Sequence, residues 1–368
     1  MSGARYVGLM SGTSLDGIDA VAVSFSDNTP AVLAHVSHEF PADLRATLLD
    51  LNTPEGSNEL ERAALAGVAL AHRYAAATHQ VIKQAGWTPP QVQAIGCHGQ
   101  TVRHRPEQGF TLQLGNGALL AELTGITVAT DFRARDVAAG GQGAPLVPAF
   151  HDAMFRSPHH PRIILNLGGI ANLTVLLPGQ ETRGYDCGPA NALLDGWVAR
   201  HRGEAFDRDG QWARSGTVST TLLAALLEHP FFLRTPPKST GRDAFHLAWL
   251  DTVLRTQGHH AAQDVQATLM ALTVQSIAQC IARETAEAGL EIYCCGGGAK
   301  NTALMEQLQG LLPRATVHLT DALGVPVPQV EATAFAWLAR ELLQGRHANL
   351  PAVTGARRRV PLGAIYPA

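Results

Sequence analysis

The chain lacks what would tie it to a membrane, a disulfide framework or a polyanion. No run approaches the ~18 consecutive apolar residues of a membrane span. No basic segment followed by an apolar one opens the chain, so no signal peptide is expected. There are five cysteines, Cys97, Cys187, Cys280, Cys294 and Cys295, an odd number without C-x-x-C spacing or a zinc pattern. Reduced thiols and a cytoplasmic location are the simplest reading. The formal net charge of −3 is too small to imply a nucleic-acid or membrane partner. The dense basic cluster Arg357-Arg358-Arg359 reads as a solvated face. Two nucleotide signatures are also missing. The run "GGGAKN" lacks the spacing and hydroxyl of a P-loop, and "GGQGAPL" breaks the dinucleotide fingerprint at its last glycine. No solenoid-type repeat or low-complexity tract is present.

What remains is a globular composition, 46% apolar and 16% charged over 368 residues, enough for about two domains. Residues 6–10 and 18–25 read as two strands of a hairpin around the loop Ser11-Gly12-Thr13-Ser14-Leu15-Asp16-Gly17. Small residues, hydroxyls and unshielded N–H groups suit that loop to an anion, and Asp16 and Asp19 to an accompanying cation. An ordinary polar turn is the competing reading. A third strand over 31–40 and a helix over 59–84, stopped by Gly86, follow. Strands are expected at 92–97, 110–114 and 126–129, with a helix from 117 to 123. This alternation argues for α/β layers with a largely parallel sheet, where ligands meet polar residues just past the strand ends. Residues 130–145 are read as a long polar loop with nothing apolar enough for a core.

The opening pattern then returns: "YVGLMSGTSLDGIDAVAV" and "IILNLGGIANLTVLL" both read strand, glycine-centred loop, strand. An internal duplication follows, two related α/β domains with a ligand cleft between them. The first is expected over 1–130 plus about 340–368, the second over 131–339. Asp186 is expected in the loop ahead of a helix that starts at Pro189–Asn191 and stops at Gly203. A helix over 264–287, capped by Asp264, a strand over 291–295 and a last helix over 329–343 complete the reading. Glycine turns at 11–17, 168–169 and 296–298 each follow a strand. Two of them could hold nucleotide phosphates, and the third could let a base lie on bare backbone.

That layout resembles sugar kinases, hexokinase and actin. "GLMSGTSLDGIDA", "GCHGQTVRH", "DFRARDVAAGGQGAPLVP", "LNLGGIANLT", "YDCGPANALLD" and "CGGGAKN", in this order, resemble the anhydro-N-acetylmuramic acid kinase family. The resemblance implies a kinase that takes 1,6-anhydro-N-acetylmuramic acid, ATP with Mg²⁺, and water. It would open the anhydro bridge and phosphorylate O6 in cell-wall recycling. It implies Asp186 as the base that activates water, with a helix N-terminus favouring its ionised form. It implies ATP-binding roles for Gly12, Thr13, Ser14, Leu15, Asp16, Gly17, Ile18, Asp19, Gly168, Gly169, Gly297, Gly298 and Asn301. The sugar side would be His98, Gln100, Thr101, Asp131, Arg133 and Glu331, and metal ligands are not specified. A homodimer is also implied. His98 can equally be a hydrogen-bonded structural residue, either Arg133 or Arg135 a surface ion-pair partner, and Glu331 a charge placed at a helix start. The family pattern "DTGPGN" is altered here to Asp186-Cys187-Gly188-Pro189-Ala190-Asn191. Cys187 is a weaker donor than a hydroxyl, and alanine at 190 would resist a positive φ. A same-fold kinase for another sugar or small acid, or an actin-like nucleotide switch, are the alternatives.

Overall fold

The structure, a computed structural model, describes residues 3–12, 15, 17–26, 29–54, 56–236, 238–241, 244–285 and 288–368. In chain order the strands are β1 Ala4–Met10, β2 Gly17–Ser26, β3 Thr29–Glu39, β4 Ala94–Cys97, β5 Gln100–Arg105, β6 Phe110–Leu114 and β7 Val128–Thr130. They continue with β8 Arg162–Leu167, β9 Ile170–Leu176, β10 Arg183–Pro189, β11 Leu290–Cys295, β12 Ala315–Leu319 and β13 Ala364–Tyr366. The chain divides into two compact units, Met1–Phe155 with Gln329–Ala368, and Arg156–Pro328.

The first unit holds a sheet of order β13-β7-β4-β1-β2-β3. Strands β1, β4 and β7 run parallel, and β2, β3 and β13 join antiparallel. The second holds β10-β9-β8-β11-β12. Here β8, β11 and β12 run parallel, with β9 and β10 antiparallel. Leaving β13 aside, the two sheets follow the same plan: an antiparallel meander, then two parallel strands added beside its first strand. The expected duplication therefore shows in topology. The expected largely parallel sheets are mixed, because each unit begins with a meander whose tight turns can join only antiparallel neighbours.

Each sheet packs its own core. The helix Glu59–Gln84 turns Leu70, Tyr74, Ala77 and Val81 inward. The helix Ala262–Glu284 does the same in the second unit with Leu269, Met270, Leu272 and Ile277, so its apolar length is core. It starts two residues before the expected 264. Asp264 sits in its first turn and accepts the Thr217 N–H at 2.7 Å, and the helix ends at Glu284, short of the expected 287, with Thr285 already extended.

The division expected at 131 and the return expected near 340 both fall inside the first unit. The polar stretch after β7 is not a coreless loop. It forms the helix Phe132–Ala138, with Phe132 1% exposed and its ring 5.7 Å from that of Phe335. The fully buried Asp136 carboxylate accepts from the Gly143 N–H, the Asn349 amide and the Thr354 hydroxyl, each at 2.8 Å. That hub ties residues 136–143 to the C-terminal segment. A buried carboxylate needs such partners, because an unpaired charge in the interior is strongly disfavoured. The helix Val330–Leu343 lies on β1 and β4. It lies so close that a Cβ on Gly8 would sit 1.8 Å from the Ala332 carbonyl oxygen, and one on Gly96 1.9 Å from that of Phe335.

Gly96→Ala should therefore force this helix off the sheet and destabilise the first unit by about 1–3 kcal/mol or more, the range for overpacking. The measurement is its urea midpoint. Gly310→Ala, where an added Cβ meets nothing within 4 Å, is the control and should be neutral or slightly stabilising.

Candidate active site

In the first unit the loop after β1 is held by its carbonyls. The His98 ring Nδ1 lies 3.2 Å from the Ser11 carbonyl oxygen, and the Gln100 side-chain amide donates to that of Gly12 at 3.1 Å. The Ser11 hydroxyl donates to the Gly99 carbonyl at 3.1 Å and so accepts from the Tyr74 hydroxyl at 2.7 Å. Leu15, at φ 58°, donates its N–H to the Gly12 carbonyl, and its side chain is buried in the core, as is that of Ile18. Gly17 is required by space, since a Cβ would lie 2.2 Å from the His38 carbonyl oxygen. Asp19 pairs with His35 at 3.0 Å. Thr13, Ser14 and Asp16 lie outside the described residues.

His98 is 3% exposed, and burial, with Arg133 beside it, pushes its pKa down to about 3. It is neutral, with Nδ1–H facing Ser11. Its Nε2 accepts from Arg133 Nε at 3.0 Å and Nη2 at 2.9 Å. Arg133 Nη1 donates to the Gly143 carbonyl at 2.8 Å. Three of five guanidinium donors are thus committed to described partners, and two remain to meet an anion. Burial lowers the Arg133 pKa to about 10, opposed by Glu331 and Asp136, so it keeps its charge at neutral pH. Glu331 reaches solvent, yet the surrounding protein still pushes its carboxyl up, with Arg133 opposing and Asp19 reinforcing. Gln100 is fully buried within β5, and Thr101, also in β5, accepts from the Gln113 amide at 3.2 Å. Asp131 is exposed at φ 56°, before the helix Phe132–Ala138. The structure thus gathers Gly12, His98, Gln100, Arg133 and Glu331 into one network.

In the second unit the turn Gly168-Gly169 meets the start of the helix Asn191–Arg202. The N–H groups of Ala190 and Ala192 donate to the Gly169 carbonyl at 2.9 and 3.0 Å, and that of Asn191 to Gly168 at 3.0 Å. The Asn191 amide adds bonds to the Leu167 and Gly168 carbonyls. Gly298 packs against the same place, where a Cβ would lie 2.9 Å from that of Leu167. At Gly297 a Cβ would meet nothing nearer than the Asn191 amide nitrogen at 3.9 Å, so its face is open to a flat ligand. Asn301 caps the helix Thr302–Leu311, accepting the Leu304 N–H at 3.2 Å.

Asp186 is not in the expected loop. It lies within β10, the sheet's edge strand, beside a register shift that leaves Cys187 as the extra residue before Gly188. The helix dipole assigned to it is spent on the turn at 168–169, whose carbonyls take the helix's first N–H groups. Burial instead raises the Asp186 pKa to about 6, opposed by the Thr240 N–H, which donates to Oδ2 at 2.8 Å, and by the charge of Lys238. Periodicity gave no sign of this partner, which lies 54 residues along the chain. The only trace is the turn-like run of proline, serine, threonine and glycine at 236–241. Cys187 is fully buried, and Ala190 has φ −119°, so the positive φ that alanine would resist is not required at that position.

A family model described as "Anhydro-N-acetylmuramic acid kinase" matches residues 4–368. The chain belongs to the anhydro-N-acetylmuramic acid kinase family. It is 52% identical over 370 residues to the family's protein from Nitrosospira multiformis, covering 100% of both chains. To that from Paraburkholderia xenovorans it is 53% identical, over 98% of this chain and 97% of the relative. Among solved structures, the (R)-2-hydroxyglutaryl-CoA dehydratase component A of Acidaminococcus fermentans aligns over 90% of this chain and 96% of its own. That match has 12% identity and a TM-score of 0.46, too loose to bear on function. Anhydro-N-acetylmuramic acid kinases are phosphotransferases, and this chain is a kinase.

His98 should show no imidazole titration between pH 8 and 4.5 by ¹⁵N NMR, and His98→Ala should remove its signals only. A titration near 6.5, the ordinary value, would contradict the network.

Proposed function

We propose that this chain uses ATP and water to convert 1,6-anhydro-N-acetylmuramic acid into N-acetylmuramic acid 6-phosphate and ADP, serving peptidoglycan recycling. Family membership supports the substrate. The observation that carries the reaction is the Asp186 carboxyl: Thr240 holds one oxygen, the other is left for a proton, and burial brings its pKa to about 6. A base poised just below neutral pH suits proton transfer from water.

Asp186 takes a proton from the water that attacks the anomeric carbon. The bond from that carbon to O6 breaks, O6 takes the γ-phosphoryl, and the β–γ bridge opens to give ADP. Arg133 offers its two remaining N–H groups to the lactyl carboxylate or a phosphate, in the paired geometry a guanidinium favours. Gln100, Thr101, Asp131 and Glu331 serve the sugar side, and His98 serves it through Arg133. Residues 12–19, Gly168 and Gly169 serve the phosphates, and Gly297, Gly298 and Asn301 the adenosine. Mg²⁺ bound with ATP would neutralise phosphate charge during transfer. Asp16 and Asp19 are the residues that would hold it. A cytoplasmic homodimer is part of the same reading.

Product analysis in ¹⁸O-water tests it: the label should appear in the new anomeric hydroxyl. ADP release with N-acetylmuramic acid but not with its anhydro form would overturn the proposal. Asp186→Asn should lower kcat by about 10²–10⁴, the usual worth of a general base, with ATP affinity nearly kept by calorimetry. For the wild type, kcat/KM should be level above pH 7. It should fall about tenfold per pH unit below 6 as the base protonates.

Asp186→Asn should also raise Tm at pH 8. The folded pKa lies above the unfolded value, so stability is lost as pH rises through about 6, and the neutral amide escapes that loss. Near pH 4 the gain should vanish.

A further inference from the structure

Strand β10 is the edge of its sheet, so its outward N–H groups need partners from elsewhere. At Asp186 that partner is the carbonyl of Lys238, which accepts the Asp186 N–H at 3.1 Å. Two residues on, Thr240 returns its own N–H to Asp186 Oδ2. The segment therefore grips both the backbone and the carboxylate of one residue, at the bulge where the strand re-aims its side chains. Lys238 is only 7% exposed, a burial rare for a lysine unless an opposite charge lies near, and the Asp186 carboxylate is the charge it acts on. Its Nζ sits 4.5 Å from the centre of the Phe231 ring, an attractive placement that does not neutralise it.

We propose that Lys238–Thr240 is a positioning strap for Asp186: the Thr240 N–H fixes one carboxylate oxygen so that the other faces the substrate water, and the buried Lys238 ammonium keeps the carboxylate charged. The catalytic half of this inference rests on Asp186 being the base. The other titratable groups nearby are the Cys187 thiol, which burial pushes well up, and Cys280 beside it. Arg283 and Glu284 act on Cys280, and Glu284 is itself paired with Arg183 and accepts the Tyr185 hydroxyl at 2.7 Å. Lys238 is thus the cation that acts on Asp186, and neither thiol supplies positive charge.

The test is the Asp186 carboxyl titration by ¹³C NMR on the full chain, with Asp186→Asn identifying the resonance. In Lys238→Met its pKa should rise from about 6 by one unit or more, and Lys238→Arg should restore it. An unmoved titration in folded Lys238→Met would overturn the strap. Should that variant not fold, Lys238→Gln gives the same reading with a polar side chain. Turnover is a separate readout. The acid limb of kcat/KM should move with the titration, lowering activity at pH 6 about fivefold or more and leaving it nearly unchanged at pH 8.5. A moved titration with an unmoved turnover profile would uphold the strap and remove Asp186 as the base.

Discussion

The glycine turns of both units depend on one constraint: a buried loop may not leave its carbonyls unmatched. In the first unit His98 and Gln100 meet the carbonyls of Ser11 and Gly12. In the second, Asn191 and the first turn of its helix meet those of Leu167, Gly168 and Gly169. The donors come from different side chains and different distances along the sequence, yet the effect is the same. Each turn is pinned through its acceptors by residues from a later part of the chain. A turn fixed this way can approach a ligand without rearranging, which is the kind of preorganisation phosphoryl transfer relies on.

Burial then sorts the charges. It drives His98 neutral and so makes it an acceptor, and that acceptor aligns Arg133. It raises Asp186 into the range of a useful base, while Thr240 and Lys238 stop the rise. The same desolvation acts on both, lowering the base that would become charged on protonation and raising the acid that would become charged on ionisation. Asp136 shows the alternative outcome. Fully buried but with three donors on its oxygens, it serves as a structural hub and holds the C-terminal segment to the helix Phe132–Ala138.

Much of the fold was legible where a signal is local. The first hairpin, the helix Glu59–Gln84, the helix Asn191–Arg202 and the turns at 168–169 and 296–298 stand where spacing and glycine placed them. Strand β10 is not legible in the sequence because Asp186, Cys187, Gly188 and Pro189 carry no alternating pattern, being an edge with a bulge. The helix Phe132–Ala138 is hidden in the sequence because its one large apolar residue, Phe132, finds a partner 203 positions away in Phe335.

The sequence by itself determined the family, through six ordered motifs, and the two-unit α/β plan, through a repeated strand-turn-strand pattern. Tertiary structure alone decided the electrostatics: that His98 is neutral and supports Arg133, and that Asp186 answers to Thr240 and Lys238 rather than to a helix end. The reason is physical. Secondary structure follows from neighbours a few residues apart, whereas a side chain's protonation follows from which distant groups replace its water.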